Sequence, residues 1–114
     1  MTQARTIPEV EGAEFGPGGG TLLFENDRVR IWEMRLAPGE RSRLHTHDRD
    51  YILVQVEGDR IAAEPHPATQ GAVREFLEVD VVPGATVYLE RGGVEWAVNT
   101  GGRPWREICI ELKD

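Results

Sequence analysis

The sequence predicts an all-β domain of about eight or nine short strands, arranged as a sandwich or a closed barrel. Three observations predict it. Runs rich in Val, Ile, Leu, Trp and Tyr are separated by turn signals at nearly every gap. No segment keeps the three-to-four spacing of an amphipathic helix for more than two turns. The length of 114 residues suits one domain with a modest single core. The turn signals are NDR at 26–28, APGE at 37–40, HDRD at 47–50, EGDR at 57–60, PHPATQG at 65–71, VPGA at 82–85, RGG at 91–93 and TGGRP at 100–104. Strands are expected between them, near 21–24, 28–36, 42–47, 51–57, 60–64, 73–80, 85–90, 94–99 and 105–112.

Taken in order, residues 1–20 end in GPGGG and show no sustained periodicity, so they read as a flexible N-terminal arm, with the folded domain at 21–114. In the 28–36 strand Trp32, Met34 and Leu36 share one face and read as core. The 42–47 strand places Arg43, His45 and His47 on one face, because side chains two apart on a strand project together. In 51–57, Ile52, Val54 and Val56 are apolar, and the opposite face of Tyr51, Leu53 and Gln55 is uncharged. Both faces therefore look covered, which predicts a homodimer, or else a terminal strand of the same chain lying over the other face. Along 94–99 the apolar face is Val94, Trp96 and Val98, and the polar one is Glu95, Ala97 and Asn99. Trp105 reads as a packing or interface residue. Cys109, between Ile108 and Ile110, reads as a half-buried thiol.

Composition removes several classes of function. A net charge of −7, from 20 acidic and 13 basic residues, argues against nucleic acid or an anionic membrane as a partner. No apolar run approaches the roughly 18–20 residues of a membrane span, and MTQARTIPEVEG lacks the apolar stretch of a secretory signal, so the expected location is cytoplasmic. The single cysteine excludes an internal disulfide. No Ser-His-Asp order, glycine-rich phosphate loop or cysteine pair supports a hydrolase, nucleotide-binding or redox reading.

What remains is the pair His45 and His47, whose imidazoles can grip one divalent metal from a shared strand face. Two ligands make a weak site, so others must come from elsewhere in the fold. Arg43, of the same parity, could anchor a substrate carboxylate. His66, set between two prolines, reads as a loop residue, and Asp50 as a turn residue.

The stretch GERSRLHTHDRDYILVQVEG at 39–58, with Gly39, His45, His47, Tyr51 and Gly58, resembles the first signature motif of the cupin superfamily, with Tyr51 where a glutamate is usual. From Leu23 to Leu112 the chain resembles small single-domain cupins of the beta-alanine degradation branch, through ENDRVRIWEMRLAPGE at 25–40, HTHDRDYILVQV at 45–56 and REICIELKD at 106–114. The resemblance implies a jelly-roll double-sheet barrel with a cavity. The second cupin motif would supply another histidine, but PGATVYLERGGVEWAVNTGG at 83–102 has none. In one register Gly84, Glu90, Gly92, Glu95 and Asn99 match the spacing, and Glu95 stands for the histidine. In the other, GGVEW lies on the motif and Trp96 stands there. Spacing favours Glu95 and strand parity favours Trp96.

Two expectations follow. In the first, His45, His47 and Glu95 hold a divalent ion (iron, manganese, nickel or zinc), and the protein is a dioxygenase- or isomerase-like enzyme acting on a small organic acid or dicarbonyl compound. His45, His47 and Tyr51 then line the reacting centre, and Arg43, Tyr51, Gln55 and Trp96 contact substrate. In the alternative, Trp96 fills the third position, and a metal-free barrel binds a small ligand or uses His45 or His47 as general base. Cupins span many reactions, so the fold does not choose between them.

Overall fold

A computed structural model describes residues 6–114. It contains ten strands: β1 (Glu14–Phe15), β2 (Thr21–Glu25), β3 (Val29–Leu36), β4 (His45–Thr46), β5 (Tyr51–Glu57), β6 (Arg60–Pro65), β7 (Leu77–Asp80), β8 (Thr86–Leu89), β9 (Val94–Val98) and β10 (Trp105–Leu112). No helix occurs among the described residues. The strands form two five-stranded sheets, ordered β1-β4-β9-β6-β7 and β2-β3-β10-β5-β8. This is the all-β double-sheet barrel that the turn signals and missing helical periodicity predict.

Nine of the ten strands fall where the turns place them, and the differences have local causes. β4 is only two residues long, because Ser42 N–H bonds to Ala97 O and Arg43 N–H to Gly18 O, so the chain before His45 switches partners instead of extending one ladder. β7 starts at Leu77 because the preceding loop folds onto the 65–71 turn, where Arg74 donates to Thr69 O. The additional strand, β1, pairs in parallel with β4, Glu14 beside His45 and Phe15 beside Thr46. Nothing in its sequence periodicity announces it; two residues are too few to show a period.

Alternation along β10 shows how the barrel is filled. Trp105, Glu107, Cys109 and Glu111 are buried, whereas Arg106, Ile108, Ile110 and Leu112 are half-buried on the outer face. The apolar core, Met34, Leu36, Val81 and Trp105 with Ile61 and Ala97 packed against it, merges into the wall of an internal cavity. Two buried glutamates facing inward from a strand otherwise rich in isoleucine are unusual, since a buried carboxyl needs a partner or a proton. Outside the same sheet, Phe24, Ile31, Ile110, Ile52 and Tyr88 form one cross-strand row.

Candidate metal centre in an apolar cavity

The site is built on the short β4 ladder. β4 and β9 run antiparallel with His45 directly opposite Glu95, which brings their side chains together on the inner face. His47 is held by its own backbone: its N–H donates to Gly93 O and its carbonyl accepts from Gly92 N–H, both at 2.8 Å. The rings of His45 and His47 meet edge to face with centroids 4.9 Å apart. One donor atom from each of His45, His47 and Glu95 lies within 4.8 Å of the others.

The hydrogen-bond inventory of these three side chains is incomplete. His45 Nδ1 lies 2.9 Å from Arg43 O; a carbonyl only accepts, so Nδ1 carries the proton and Nε2 keeps its lone pair. His47 Nδ1 is buried with no hydrogen-bond partner. Among the described residues Glu95 has no hydrogen-bond partner, and burial pushes its carboxyl up to about 7. Burial also lowers both imidazoles below their ordinary value, His47 well below, and the nearby His45 depresses His47 further. Neutral imidazoles are the form that binds a metal. Two imidazoles and an unpaired carboxylate with donor atoms this close fit a divalent cation, a donor set that iron, manganese, nickel and zinc accept.

The cavity around this cluster has a volume of about 320 Å³. Its polar lining comes from His45, His47, Gln55, Asp80, Glu95 and Glu107; the rest is mainly aliphatic, including Leu53, Ile61, Val73 and Leu89. Among the described residues no lysine or arginine lines it. Leu77, Val79 and Val87 line the cavity and yet remain 44–50% exposed, so it opens between β7 and β8, the edge strands of the two sheets.

The structure sorts the residues expected from the sequence. Glu95, not Trp96, faces the cavity, as the first register of the second motif has it. Trp96 points outward, where the Arg41 guanidinium sits 4.1 Å from its ring centroid and the His66 ring lies 5.8 Å away. Strand parity misleads on β9 because its other face is covered too. Val94 is fully buried there, its backbone bonded to Thr69 Oγ1 and His66 N–H in the 65–71 loop. Asn99, the last residue of that register, is also fully buried; it donates to Leu36 O and Arg103 O and accepts from Gly101 N–H, so its role is to fix a turn.

Arg43 does not reach the cavity. Its guanidinium pairs with Glu14 and is 70% exposed. Tyr51 is buried against His47, rings stacked at 3.8 Å and 10°, and does not line the cavity. Burial, with Glu95 nearby, holds its phenol well above the usual range. Gln55 does line the cavity, but its amide is committed at both ends: Nε2 donates to Glu107, and Oε1 accepts from Trp105 Nε1 at 2.8 Å. Glu107 is a cavity residue that sequence reasoning does not single out. Burial pushes its carboxyl up to about 8, against the lowering effect of the Gln55 hydrogen bond. Alternation in WREICIEL is the available signal, because position 107 shares parity with Trp105 and Cys109.

No protein-family model matches the chain. In sequence it is similar to auxin-binding protein T85 of Nicotiana tabacum, 24% identical across 95% of this chain and 62% of that protein. Another tobacco relative, auxin-binding protein T92, is 24% identical across 85% of this chain and 56% of its own length. The chain therefore spans less than two thirds of either relative. In structure it is similar to a cupin domain from Bordetella pertussis Tohama I, with a TM-score of 0.71 and 19% identity over 93% of this chain and all of that one. It is also similar to a polyketide cyclase from Streptomyces resistomycificus (TM-score 0.56, 17% identity, 78% of this chain and 57% of that one). A sugar phosphate isomerase of the cupin superfamily from Silicibacter pomeroyi gives a TM-score of 0.54 at 18% identity, over 76% of this chain and 52% of that one. The fold is thus the cupin fold, and proteins that share it include enzymes.

Proposed function

We propose that the protein is a metal-dependent cupin enzyme of the dioxygenase or isomerase type, acting on a small organic acid or dicarbonyl compound with an apolar body. The convergence of His45, His47 and Glu95 within 4.8 Å, all otherwise short of hydrogen-bond partners or carrying a free lone pair, supports this reading most directly. A divalent ion in that set would act as a Lewis acid or, if iron, as an oxygen-activating centre. Charge supports an acidic substrate: two neutral imidazoles, one carboxylate and a divalent ion sum to +1. With no lysine or arginine on the wall, an anionic head has its counter-charge only there.

The chain's own residues supply the rest. Leu53 and Leu89 surround the substrate body, with Val79 and Val87 at the mouth through which it enters. Tyr51 stacks on His47 and fixes its ring plane. Gln55 and Glu107 offer the opposite wall a fixed polar edge. A cytoplasmic homodimer is part of the same proposal, with the partner copy covering the Phe24–Ile31–Ile110–Ile52–Tyr88 row; light scattering at micromolar concentration should give twice the 12.8 kDa chain mass.

Elemental analysis of untagged protein prepared without chelator tests the enzyme reading. Near-stoichiometric iron, manganese, nickel or zinc that vanishes in His47→Ala supports it. Absence of metal after incubation with each ion sinks it and leaves the alternative, a metal-free barrel whose apolar cavity binds a small ligand.

A further inference from the structure

The glycine-rich segment before β2 touches the metal cluster, although its sequence reads as an arm. Glu14 N–H donates to Leu44 O and Gly16 N–H to Thr46 O, each at 3.1 Å, and Arg43 N–H returns a 3.3 Å bond to Gly18 O. Pro17 lines the cavity. Residues 14–18 are thus strapped along the edge of β4, and the closest approach falls on one ligand. A Cβ placed on Gly18 would stand 2.3 Å from His45 Nδ1, 2.9 Å from its Cγ and 2.7 Å from Arg43 O. Two of those atoms, His45 Nδ1 and Arg43 O, are the ends of the hydrogen bond that sets the His45 tautomer. None of them lies at the end of a flexible side chain.

We infer that the 14–18 strap is a positioning device for the metal centre, with Gly18 as the residue that lets His45 keep its Nδ1–H bond to Arg43 O and present Nε2 to the ion. The inference rests on the proposed metal site. A side chain at Gly18 must push the imidazole or the Arg43 carbonyl aside, which costs the outer-shell hydrogen bond that orients a ligating histidine. The coupling is reciprocal: if docking of the strap favours the metal-binding geometry, bound metal favours docking of the strap by the same factor.

Backbone strain must be separated from this contact, because Gly18 has φ +86° and any L side chain is disfavoured there. Gly12 provides the control. Its φ is +82° and a Cβ would meet nothing within 4 Å, so Gly12→Ala carries the same strain without touching His45. Zinc and cobalt(II) titrations by calorimetry should show Gly18→Ala weakened by roughly 10- to 100-fold, as for lost outer-shell partners, with Gly12→Ala close to the parent. In metal-free protein, the ¹⁵N imidazole signals of His45 should show an Nδ1–H tautomer in the parent and in Gly12→Ala, and a shifted pattern in Gly18→Ala.

Equal metal affinity and an unchanged His45 signature in both variants would overturn the inference. If the parent binds neither ion, the proposed function falls, whereas the tautomer comparison still decides whether the strap orients His45. Should Gly18→Ala fail to fold, amide exchange of the parent decides: zinc should slow exchange at Glu14 and Gly16, and unchanged exchange there with zinc bound would overturn the coupling.

Discussion

The cavity has two carboxyls on facing walls, buried Glu107 and half-buried Glu95, and they are treated in opposite ways. Glu107, on β10, accepts a hydrogen bond from Gln55, which in turn accepts one from Trp105. Glu95, on β9, has no hydrogen bond, only the two imidazoles beside it. Both are pushed upward by burial, to about 8 and about 7. A buried carboxyl with partners is part of the structure, and one without partners costs stability until a proton or a cation joins it. The contrast sets Glu107 in the wall and leaves Glu95 as the carboxylate available to the proposed ion.

Substitutions should split the two walls most sharply. With Glu95 holding the ion as proposed, Glu95→Gln removes a ligating charge, and zinc affinity should fall by more than the roughly 100-fold that loss of an outer-shell partner costs. In the presence of chelator the same variant should be as stable as the parent or more so, because it no longer buries an unpaired acid. Glu107→Ala should behave in reverse: it strands Gln55 Nε2 and opens a void, at a cost of about 2–4 kcal/mol in urea unfolding. A Glu107→Ala variant that keeps parental stability while losing metal would exchange the two roles.

The pH dependence of the metal-free protein sharpens the same comparison. Both glutamates have folded values raised above the ordinary 4.5, so the folded state holds extra protons. Their contribution is complete below about 4.5 and is lost as pH rises through about 7 and about 8. The two histidines act oppositely, since their folded values are lowered below 6.5; their contribution is present above 6.5 and is lost as pH falls. Between pH 6.5 and 8 the histidine contribution is constant and the effect of Glu95, Glu107 and the likewise raised Glu111 remains, so chelated protein should lose stability there. Glu107→Gln should flatten the upper part of that decline and Glu95→Gln the lower part. Metal binding near pH ~6 should release about one proton, from Glu95, read from calorimetry in buffers of different ionisation enthalpy.

Much of the fold is legible in the sequence because turn chemistry is local: PGE, EGD, VPG and GGR mark strand ends wherever the strands later pair. The His45–His47 face is legible for the same reason. The third ligand is not fixed by local rules, because parity works only when one strand face is wet. On β9 the 65–71 loop covers Val94, Arg41 covers Trp96, and the cavity takes Glu95, so an apolar–polar alternation points the wrong way. Motif spacing succeeds there because Asn99 anchors the turn that sets the register of β9. The β1 strap and Glu107 escape for different reasons. The strap is held mainly by backbone bonds that no side-chain pattern encodes, with the Arg43–Glu14 ion pair beside them, whereas Glu107 sits in an alternation that an ordinary surface strand with one acidic face would also show.

Arg43 gives the smallest expected effect and closes the comparison from outside the cavity. Its place in the sequence, two residues before His45, makes it a candidate anchor for a substrate carboxylate, and its ion pair with Glu14 makes it instead a tie between the strap and β4. The pair is largely exposed, so solvent screening holds its worth to about 0–1 kcal/mol. Arg43→Ala should therefore leave thermal stability nearly unchanged and shift zinc affinity by no more than about threefold. Raising ionic strength should remove the same small contribution in the parent, so the parent and the variant should converge at high salt. A large loss of affinity for carboxylate ligands in Arg43→Ala, with zinc binding intact, would show that the guanidinium leaves Glu14 and enters the cavity, and the +1 charge of the metal cluster would no longer be the sole anchor for an acid.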